Sequence, residues 1–171
     1  MANLGNAWHI PQNAQPRGRG GMRDPIGPIP AGAAVSIVNG NQYQGFGNPG
    51  NQLQDGSLLF YRQSTQPDWQ PVPLLFDSAA GNDKFFAATI PDAFPVGATV
   101  QYYLRIAYDD HDLTFLHAAG ATSATSDNEQ TARDLPFAYD VADPATSGRW
   151  GRYSTCSTWA FTPACCRTAP P

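Results

Sequence analysis

Residues 100–117, VQYYLRIAYDDHDLTFLH, carry the clearest structural pattern in the chain. Apolar and aromatic side chains recur at every second position over residues 100–108, while the side chains between them are more polar. A period of two residues is typical of a half-buried β-strand. We therefore predict a long strand in the middle of a sheet, around which the rest of the domain is built.

The strand pattern breaks at DDHD, residues 109–112, and resumes over residues 113–117, which predicts a hairpin. If the tip of the hairpin is centred on Thr114, His111 faces His117 across the strand pair, with Cβ atoms about 4.5–5.5 Å apart. Two imidazoles at this separation beside three carboxylates predict a metal site.

A third imidazole is available only from His9, which lies in the glycine- and proline-rich residues 1–32. This composition predicts an arm that wraps the domain, with Trp8 as its apolar anchor. Three histidines with an open fourth position are the arrangement in which zinc hydrolases lower the pKa of a bound water to about 7. We predict Zn²⁺, or another divalent metal, on three ligands: His9, His111 and His117.

The aspartates of the DDHD turn have two predicted roles beside such a metal. Asp110 and Asp112 are the candidate catalytic residues, as a general base or as carboxylates that orient a ligand ring. A calcium site built from Asp109, Asp110 and Asp112 is an alternative, because hard oxygen ligands cluster in this way. A polar turn with a purely structural role is the other interpretation.

Composition limits the remaining possibilities. The 171 residues, 42% of them hydrophobic, suit one domain with a real core. The net charge of −4 and the single lysine, Lys84, argue against nucleic-acid binding. Apolar runs are too short to span a bilayer, which excludes a membrane partner. The first residues lack the pattern of a signal peptide, which predicts a cytoplasmic location in the host and leaves open a secreted parent protein.

Short β-type runs separated by turn residues predict an all-β fold, an immunoglobulin- or fibronectin-like β-sandwich of about seven strands with an N-terminal wrapping arm. The turn signals include Asn39-Gly40, and Ser126 to Glu129 resemble a capping box for one helical turn. We predict an arm over residues 1–32, a sandwich over 33–143, and a linker and tail over 144–171. The predicted strands are residues 34–38, 58–62, 69–76, 85–90, 100–108, 113–117 and 137–141.

The segments LLFYRQ, WQPVPLLF, KFFAATIP and VQYYLRIAYDD resemble the fibronectin-like and early-set sandwich modules attached to carbohydrate-active enzymes. The resemblance covers residues 33–141 and implies a noncatalytic accessory role. Amides and aromatic rings can hydrogen-bond sugar hydroxyls and stack on sugar rings, and residues 41–54 are rich in both. The candidate sugar-binding residues are Tyr43, Phe46 and Trp69; a turn-rich surface loop is the alternative for residues 41–54.

The tail, RYSTCSTWAFTPACCRTAPP, has neither a strand nor a helix period and holds all three cysteines. One base inserted after Gly151 allows the reading PVFDLLNVGIHTCLLPDGP, which has strand and turn signals. Preceded by GRWG, this reading resembles the first strands of the kelch propeller in galactose-oxidase-like copper radical oxidases. The resemblance implies that residues 1–147 are an accessory domain without its propeller, and it transfers no copper-radical residues to this chain.

Two functional hypotheses follow. The first is a small metal-dependent hydrolase of activated esters or phosphoesters that uses the three-histidine site. The alternative is a noncatalytic carbohydrate-binding or accessory module of a kelch copper-radical-oxidase-like protein. Metal content separates the two, because only the hydrolase requires a bound metal ion.

Overall fold

A computed structural model describes residues 1–11, 28–45, 47–91, 93–120 and 122–145, and within them the protein is an all-β sandwich with one short helix. The predicted tail, half of the predicted arm and Phe46 lie outside these ranges. No helix in the described ranges has the length and apolar character needed to cross a membrane. The strands are β1 Ala7–Trp8, β2 Ile29–Pro30, β3 Val35–Gln42, β4 Gln52–Gln63, β5 Gln70–Pro73, β6 Leu75–Ala80, β7 Asp83–Ile90, β8 Thr99–Tyr108, β9 Thr114–Ala119, β10 Thr122–Ser126 and β11 Phe137–Ala142; helix α1 is Glu129–Asp134.

Two sheets pack face to face. The smaller sheet has the order β1-β3-β7-β6. In the larger sheet β4 pairs with β8 along one edge and with β5 on its other side. The opposite edge of β8 is shared, because β9 pairs with its C-terminal half and β11 with its N-terminal half. β10 extends the sheet from β9 and β2 extends it from β11. The prediction that residues 100–108 form the central strand is confirmed.

The core lies between the two sheets and follows the two-residue period of β8. Its alternate side chains are fully buried, which is what the apolar face of a central strand requires. The other face of β8 points away from the core and is partly covered by α1. The inward residues of β8 that belong to the main core are Val100, Tyr102, Leu104, Ile106 and Tyr108.

The turn predicted at Asn39-Gly40 is wrong, because β3 continues through both residues. Asn39 is fully buried and exchanges two hydrogen bonds with Gln52 of the facing sheet, at 2.8 and 3.3 Å. Gly40 lies directly beneath the indole of Trp8, where a Cβ atom would clash. The contacts with Gln52 across the sandwich and with Trp8 over the strand therefore outweigh the turn preference of Asn39-Gly40.

The single strand predicted over residues 69–76 is also wrong. The chain forms β5 in the larger sheet, passes through the fully buried Leu74, and continues as β6 in the smaller sheet. Pro71 and Pro73 lack the N–H that a central strand needs, and β5 accordingly pairs with β4 alone. Leu74 closes the crossing by donating its backbone N–H to the carbonyl of Ser57.

The predicted helical turn is confirmed, but with a different N-cap. Asn128, whose side-chain oxygen accepts from the backbone N–H of Gln130, begins the helix. Ser126 instead accepts from the backbone N–H of Asn128, so it supports the turn before the helix. Asn is among the preferred N-cap residues, and Asn128 directly precedes the helix, whereas Ser126 lies two residues further away. The anchoring role predicted for Trp8 is confirmed by its packing against Val38 and Phe85.

Candidate functional site

His9, predicted as a metal ligand, lies fully buried between the two sheets. Its Nδ1 is 2.8 Å from the carbonyl oxygen of Val38, and its Nε2 is 3.0 Å from the hydroxyl of Tyr102. Since a carbonyl oxygen only accepts, Nδ1 carries a proton and donates it to the Val38 carbonyl. Phe137 packs perpendicular to the imidazole at 4.7 Å between ring centroids. Both nitrogens are therefore used inside the core.

His111 lies in the loop between β8 and β9, with its side chain only 6% exposed. Its Nδ1 is 2.7 Å from Asp110 Oδ1, and its Nε2 is 3.1 Å from Asn48 Oδ1. Asn48 also donates to Asn3 Oδ1 at 3.1 Å and to the carbonyl of Leu4 at 2.6 Å. His111 thus connects the hairpin loop to the amide-rich loop and, through Asn48, to the N-terminal segment.

The carboxylates of this loop are also hydrogen-bonded within the protein. Asp109 Oδ2 accepts from Asn51 Nδ2 at 2.9 Å, and Asp112 Oδ2 accepts from the backbone N–H of Asn3 at 2.8 Å. The hydrogen bond with His111 holds the pKa of Asp110 below its usual value. A carboxylate with a lowered pKa is a weaker base, so this environment does not favour Asp110 as a general base.

The predicted hairpin register is wrong. Ile106 pairs with Thr114 and Leu104 with Leu116, which places the tip at Asp110 and not at Thr114. His117 instead pairs with Ala124 of β10, and its Nδ1 lies 3.1 Å from the carbonyl oxygen of Ala118. Leu104 and Leu116 are both fully buried in the core, and a two-residue period lets the buried face select the register.

The described residues therefore do not fit a three-histidine zinc site. His9 points into the core, His111 lies in the hairpin loop, and His117 lies on the outer side of β9. Within the described ranges, no group of three or more His, Cys, Asp or Glu side chains is placed to hold a metal ion. The same holds for the calcium alternative, since Asp109, Asp110 and Asp112 all lie within the described ranges.

The predicted sugar-binding residues are not brought together either. Tyr43 follows β3 of the smaller sheet, where the ammonium of Lys84 lies 4.3 Å from its ring centroid. Trp69 precedes β5 of the larger sheet. Phe46 lies outside the described residues. Trp69 instead packs against side chains of the larger sheet.

Trp69 belongs to an aromatic surface on the outer side of β4 and β8. Its ring lies perpendicular to that of Tyr103 at 4.8 Å between centroids, and Tyr103 stacks on Phe60 at 4.9 Å with an interplanar angle of 7°. The guanidinium of Arg62 lies 4.3 Å from the Trp69 centroid, and that of Arg105 lies 5.6 Å from the Phe60 centroid. We call this surface the aromatic face; its residues are Phe60, Arg62, Trp69, Gln101, Tyr103 and Arg105.

Helix α1 closes one side of the aromatic face through a hydrogen-bonded group. The hydroxyl of Tyr103 donates to Glu129 Oε1 at 2.6 Å, and Arg133 donates to the same oxygen at 2.7 Å. Burial, and then the bond to Glu129, raises the pKa of Tyr103 above its usual range. Burial alone would raise the pKa of Glu129, but its bonds from Tyr103 and Arg133 hold it below the usual value. Tyr103 is therefore held rigidly as a neutral ring.

The sequence contained a signal for this face that its interpretation missed. In LLFYRQ and VQYYLRIAY, the residues between the core positions are Phe60 and Arg62 on β4, and Tyr103 and Arg105 on β8. An outward face would ordinarily be polar in an antiparallel sheet. Aromatic rings at outward positions, combined with arginines, therefore indicate a covered or binding surface.

Comparisons with known proteins add no family assignment. No protein-family model matches the chain, and no curated protein matches it. A solved cyclomaltodextrinase is similar at a TM-score of 0.49 and 10% identity, over 66% of this chain and 17% of that one. The protein lmo2446 from Listeria monocytogenes EGD-e is similar at a TM-score of 0.48 and 15% identity, over 80% of this chain and 10% of that one. The chain thus spans a small part of each of these proteins.

Proposed function

We propose that the chain is a noncatalytic accessory module that binds carbohydrate on the aromatic face. The observation that carries this proposal is the partly exposed Trp69, held between Arg62 and Tyr103 on the outside of the larger sheet. An indole offers a flat apolar surface with a single N–H donor, which suits the apolar face and the hydroxyls of a sugar ring.

Rigidity supports the proposal. Tyr103 is fixed by Phe60 on one side and by Glu129 through its hydroxyl. Arg62 is fixed by Gln101, whose Oε1 accepts from Arg62 Nε at 3.0 Å. A surface whose side chains are already ordered loses little conformational entropy when a ligand binds.

The hydrolase hypothesis, with its ester or phosphoester substrate, stays a prediction without a ligand set among the described residues. We also propose that the parent protein carried a kelch propeller after residue 147, as the restored tail implies. The nucleotide sequence of the parent gene tests this origin. An uninterrupted natural frame ending at Pro171 in related DNA would contradict it.

Affinity electrophoresis through gels that contain soluble polysaccharides tests the binding proposal. We expect the protein to be retarded by at least one polysaccharide and Trp69→Ala to lose about tenfold or more in affinity, because tryptophan is a frequent centre of binding energy. Tyr43→Ala is the matched control, since it removes a predicted aromatic ligand from the other sheet and should leave retardation unchanged.

Thermal unfolding of each variant shows whether a loss of binding reflects a loss of fold. Trp69→Phe provides a second variant that keeps an aromatic surface and is expected to bind with intermediate affinity. Retardation that depends on Tyr43 and not on Trp69 would move the site to the amide-rich loop. No retardation by any polysaccharide would overturn the proposed function.

A further inference from the structure

Two arginines flank the stacked ring pair of the aromatic face. In the register of β4 and β8, Phe60 lies opposite Tyr103, Arg62 lies opposite Gln101, and Arg105 lies opposite Leu58. Arg62 on β4 and Arg105 on β8 therefore lie at opposite ends of two neighbouring rows of outward side chains. Four residues along a strand separate these rungs, which corresponds to about 13 Å.

Neither guanidinium has a carboxylate partner within the described part of the chain. Arg62 donates from Nε to Gln101 Oε1 and from Nη1 to the carbonyl of Pro67, at 3.0 and 3.4 Å. Arg105 donates from Nε to the carbonyl of Gly56 at 3.2 Å. A guanidinium has five N–H donors, so both arginines keep donors available after these bonds.

The geometry of the two arginines is suited to anions. Each Nε bond, together with the ring beneath the guanidinium, limits the orientation of the side chain. The planar fork of an arginine matches a carboxylate or a sulfate group, to which it can donate two hydrogen bonds. An oriented guanidinium without an ion-pair partner can thus bind an anionic ligand group without first breaking a salt bridge.

The local charge of the aromatic face is opposite to that of the whole chain. The chain carries a net charge of −4. Next to the face, the carboxylate of Glu129 accepts hydrogen bonds from Arg133 and Tyr103. The nearby charge of Arg105 also favours the ionised form of Glu129 by lowering its pKa. Asp68 is exposed beside Trp69 in sequence and forms no ion pair within the described ranges. The two arginines are therefore the dominant cationic groups of the aromatic face.

We propose that the carbohydrate is an acidic polysaccharide, with carboxylate or sulfate groups that bind Arg62 and Arg105 while an intervening sugar packs on the partly exposed rings of Phe60 and Trp69. This inference rests on the proposed function. The paired positions that carry the two arginines lie about 13 Å apart along the strands, which exceeds the length of one sugar residue, so a polymer can present a separate anionic group to each arginine. Nucleic acid is disfavoured, because the chain has one lysine and a net charge of −4.

The experiment compares acidic with neutral polysaccharides in affinity electrophoresis and calorimetry. The probes are polygalacturonate, alginate and chondroitin sulfate against a soluble β-glucan and a xylan. We expect an acidic polymer to bind more tightly than both neutral ones, and its affinity to fall as salt is raised. Comparison of the carboxylated and sulfated polymers identifies which anionic group is used.

The variants assign the effect to the two arginines. Arg62→Gln and Arg105→Gln are each expected to lower affinity for the acidic polymer by about tenfold, since each removes a charge-assisted hydrogen bond, and to lower affinity for a neutral polymer by much less. Lys84→Gln is the charge-matched control on the other sheet and should bind as the wild type does. Arg62→Lys keeps the charge without the planar fork and should recover only part of the affinity.

The outcomes separate this inference from the proposed function. Neutral polysaccharides bound through Trp69 with no preference for acidic ones would overturn the inference and keep the carbohydrate-binding proposal. Acidic binding lost in Lys84→Gln but kept in the arginine variants would place the anion site elsewhere and overturn it. Equal affinity for single-stranded RNA would show general polyanion binding and also overturn it. No polysaccharide binding would overturn both.

Discussion

The hairpin loop at residues 109–112 and the aromatic face differ in how their polar groups are used. In the loop, each aspartate and both nitrogens of His111 already have hydrogen-bond partners in the amide-rich loop, the N-terminal segment or the hairpin itself. On the aromatic face, two guanidiniums keep donors that the described residues do not use. Residues typical of active sites can thus be used to hold the fold together, whereas the binding site that we propose lies on an ordinary strand face.

The loop region acts as a clamp for the N-terminal segment. Two hydrogen bonds join Asn3 and Asp112. The Asn3 N–H donates to the Asp112 carboxylate, and the Asp112 N–H donates to the Asn3 carbonyl. Leu4 forms a parallel bridge with Asp112. The N–H of Gly5 donates to the Thr114 hydroxyl at 3.3 Å. These contacts lead the chain into β1 and position His9 in the core.

The largest expected effect is that of His9→Ala on stability. The change opens a cavity in the core and removes one hydrogen-bond partner each from the Val38 carbonyl and the Tyr102 hydroxyl, so we expect the free energy of unfolding to fall by about 3–5 kcal/mol. Urea denaturation followed by tryptophan fluorescence measures it. His117→Ala is the matched control and should cost less, because one hydrogen bond within its own strand is lost.

The same variants test whether the histidines act together in catalysis. Suppose that His9→Ala and His111→Ala both abolish hydrolysis of activated esters, and that metal analysis of the wild type shows one bound ion. The loop would then be a catalytic site and not only a structural contact of the N-terminal segment. Stability loss in His9→Ala without any metal or hydrolysis in the wild type would sharpen the distinction between the loop and the aromatic face.

Asp112→Ala is expected to have a smaller effect. It removes the side-chain acceptor of the Asn3 N–H in an exposed position, so stability should fall by about 0.5–1.5 kcal/mol. Hydrogen exchange should accelerate at the N-terminal amides, while polysaccharide binding stays as in the wild type. Asp55→Ala, a change at an exposed aspartate of β4, is the control and should alter neither quantity. A loss of polysaccharide binding in Asp112→Ala would extend the binding site to the loop.

The smallest expected effect is a pH dependence at Glu129. Its pKa is lowered in the folded protein, so its contribution is present above the unfolded pKa and is lost as pH falls through the folded value. The side chain is 36% exposed, and solvent screening limits the contribution to under about 1 kcal/mol. Wild type should exceed Glu129→Gln in stability at pH 7, and the difference should vanish in strong acid. A difference independent of pH would contradict this assignment.

Strand positions were largely predictable, because burial on one side imposes a two-residue period that local sequence displays. Residues 100–108 and 85–90 illustrate this, and both correspond to strands of the structure. Strands without an apolar period escaped prediction: β10 is TSATS, and the first half of β4 is QLQDG. Such segments become strands because a neighbouring strand supplies hydrogen bonds, which local sequence does not report.

The candidate site was less predictable than the fold. Trp69 was identified as a possible sugar ligand, but Phe60, Arg62, Tyr103 and Arg105 were not. Their association depends on the pairing of β4 with β8, two segments about forty residues apart, and on the register between them. The predicted partnership of His111 with His117 failed for the same reason, since a shift of register changes which side chains face each other.

By itself, the sequence determined that this protein is an all-β domain built on a central strand at residues 100–108, since the alternation of buried and outward residues is a local property. The tertiary structure alone decided what the polar groups do. It placed His9 in the core and joined residues 109–112 to the N-terminal segment. Among the described residues it also gave Arg62 and Arg105 no carboxylate in an ion pair, because strand pairing and sheet packing determine which hydrogen-bonding groups meet across long separations in sequence.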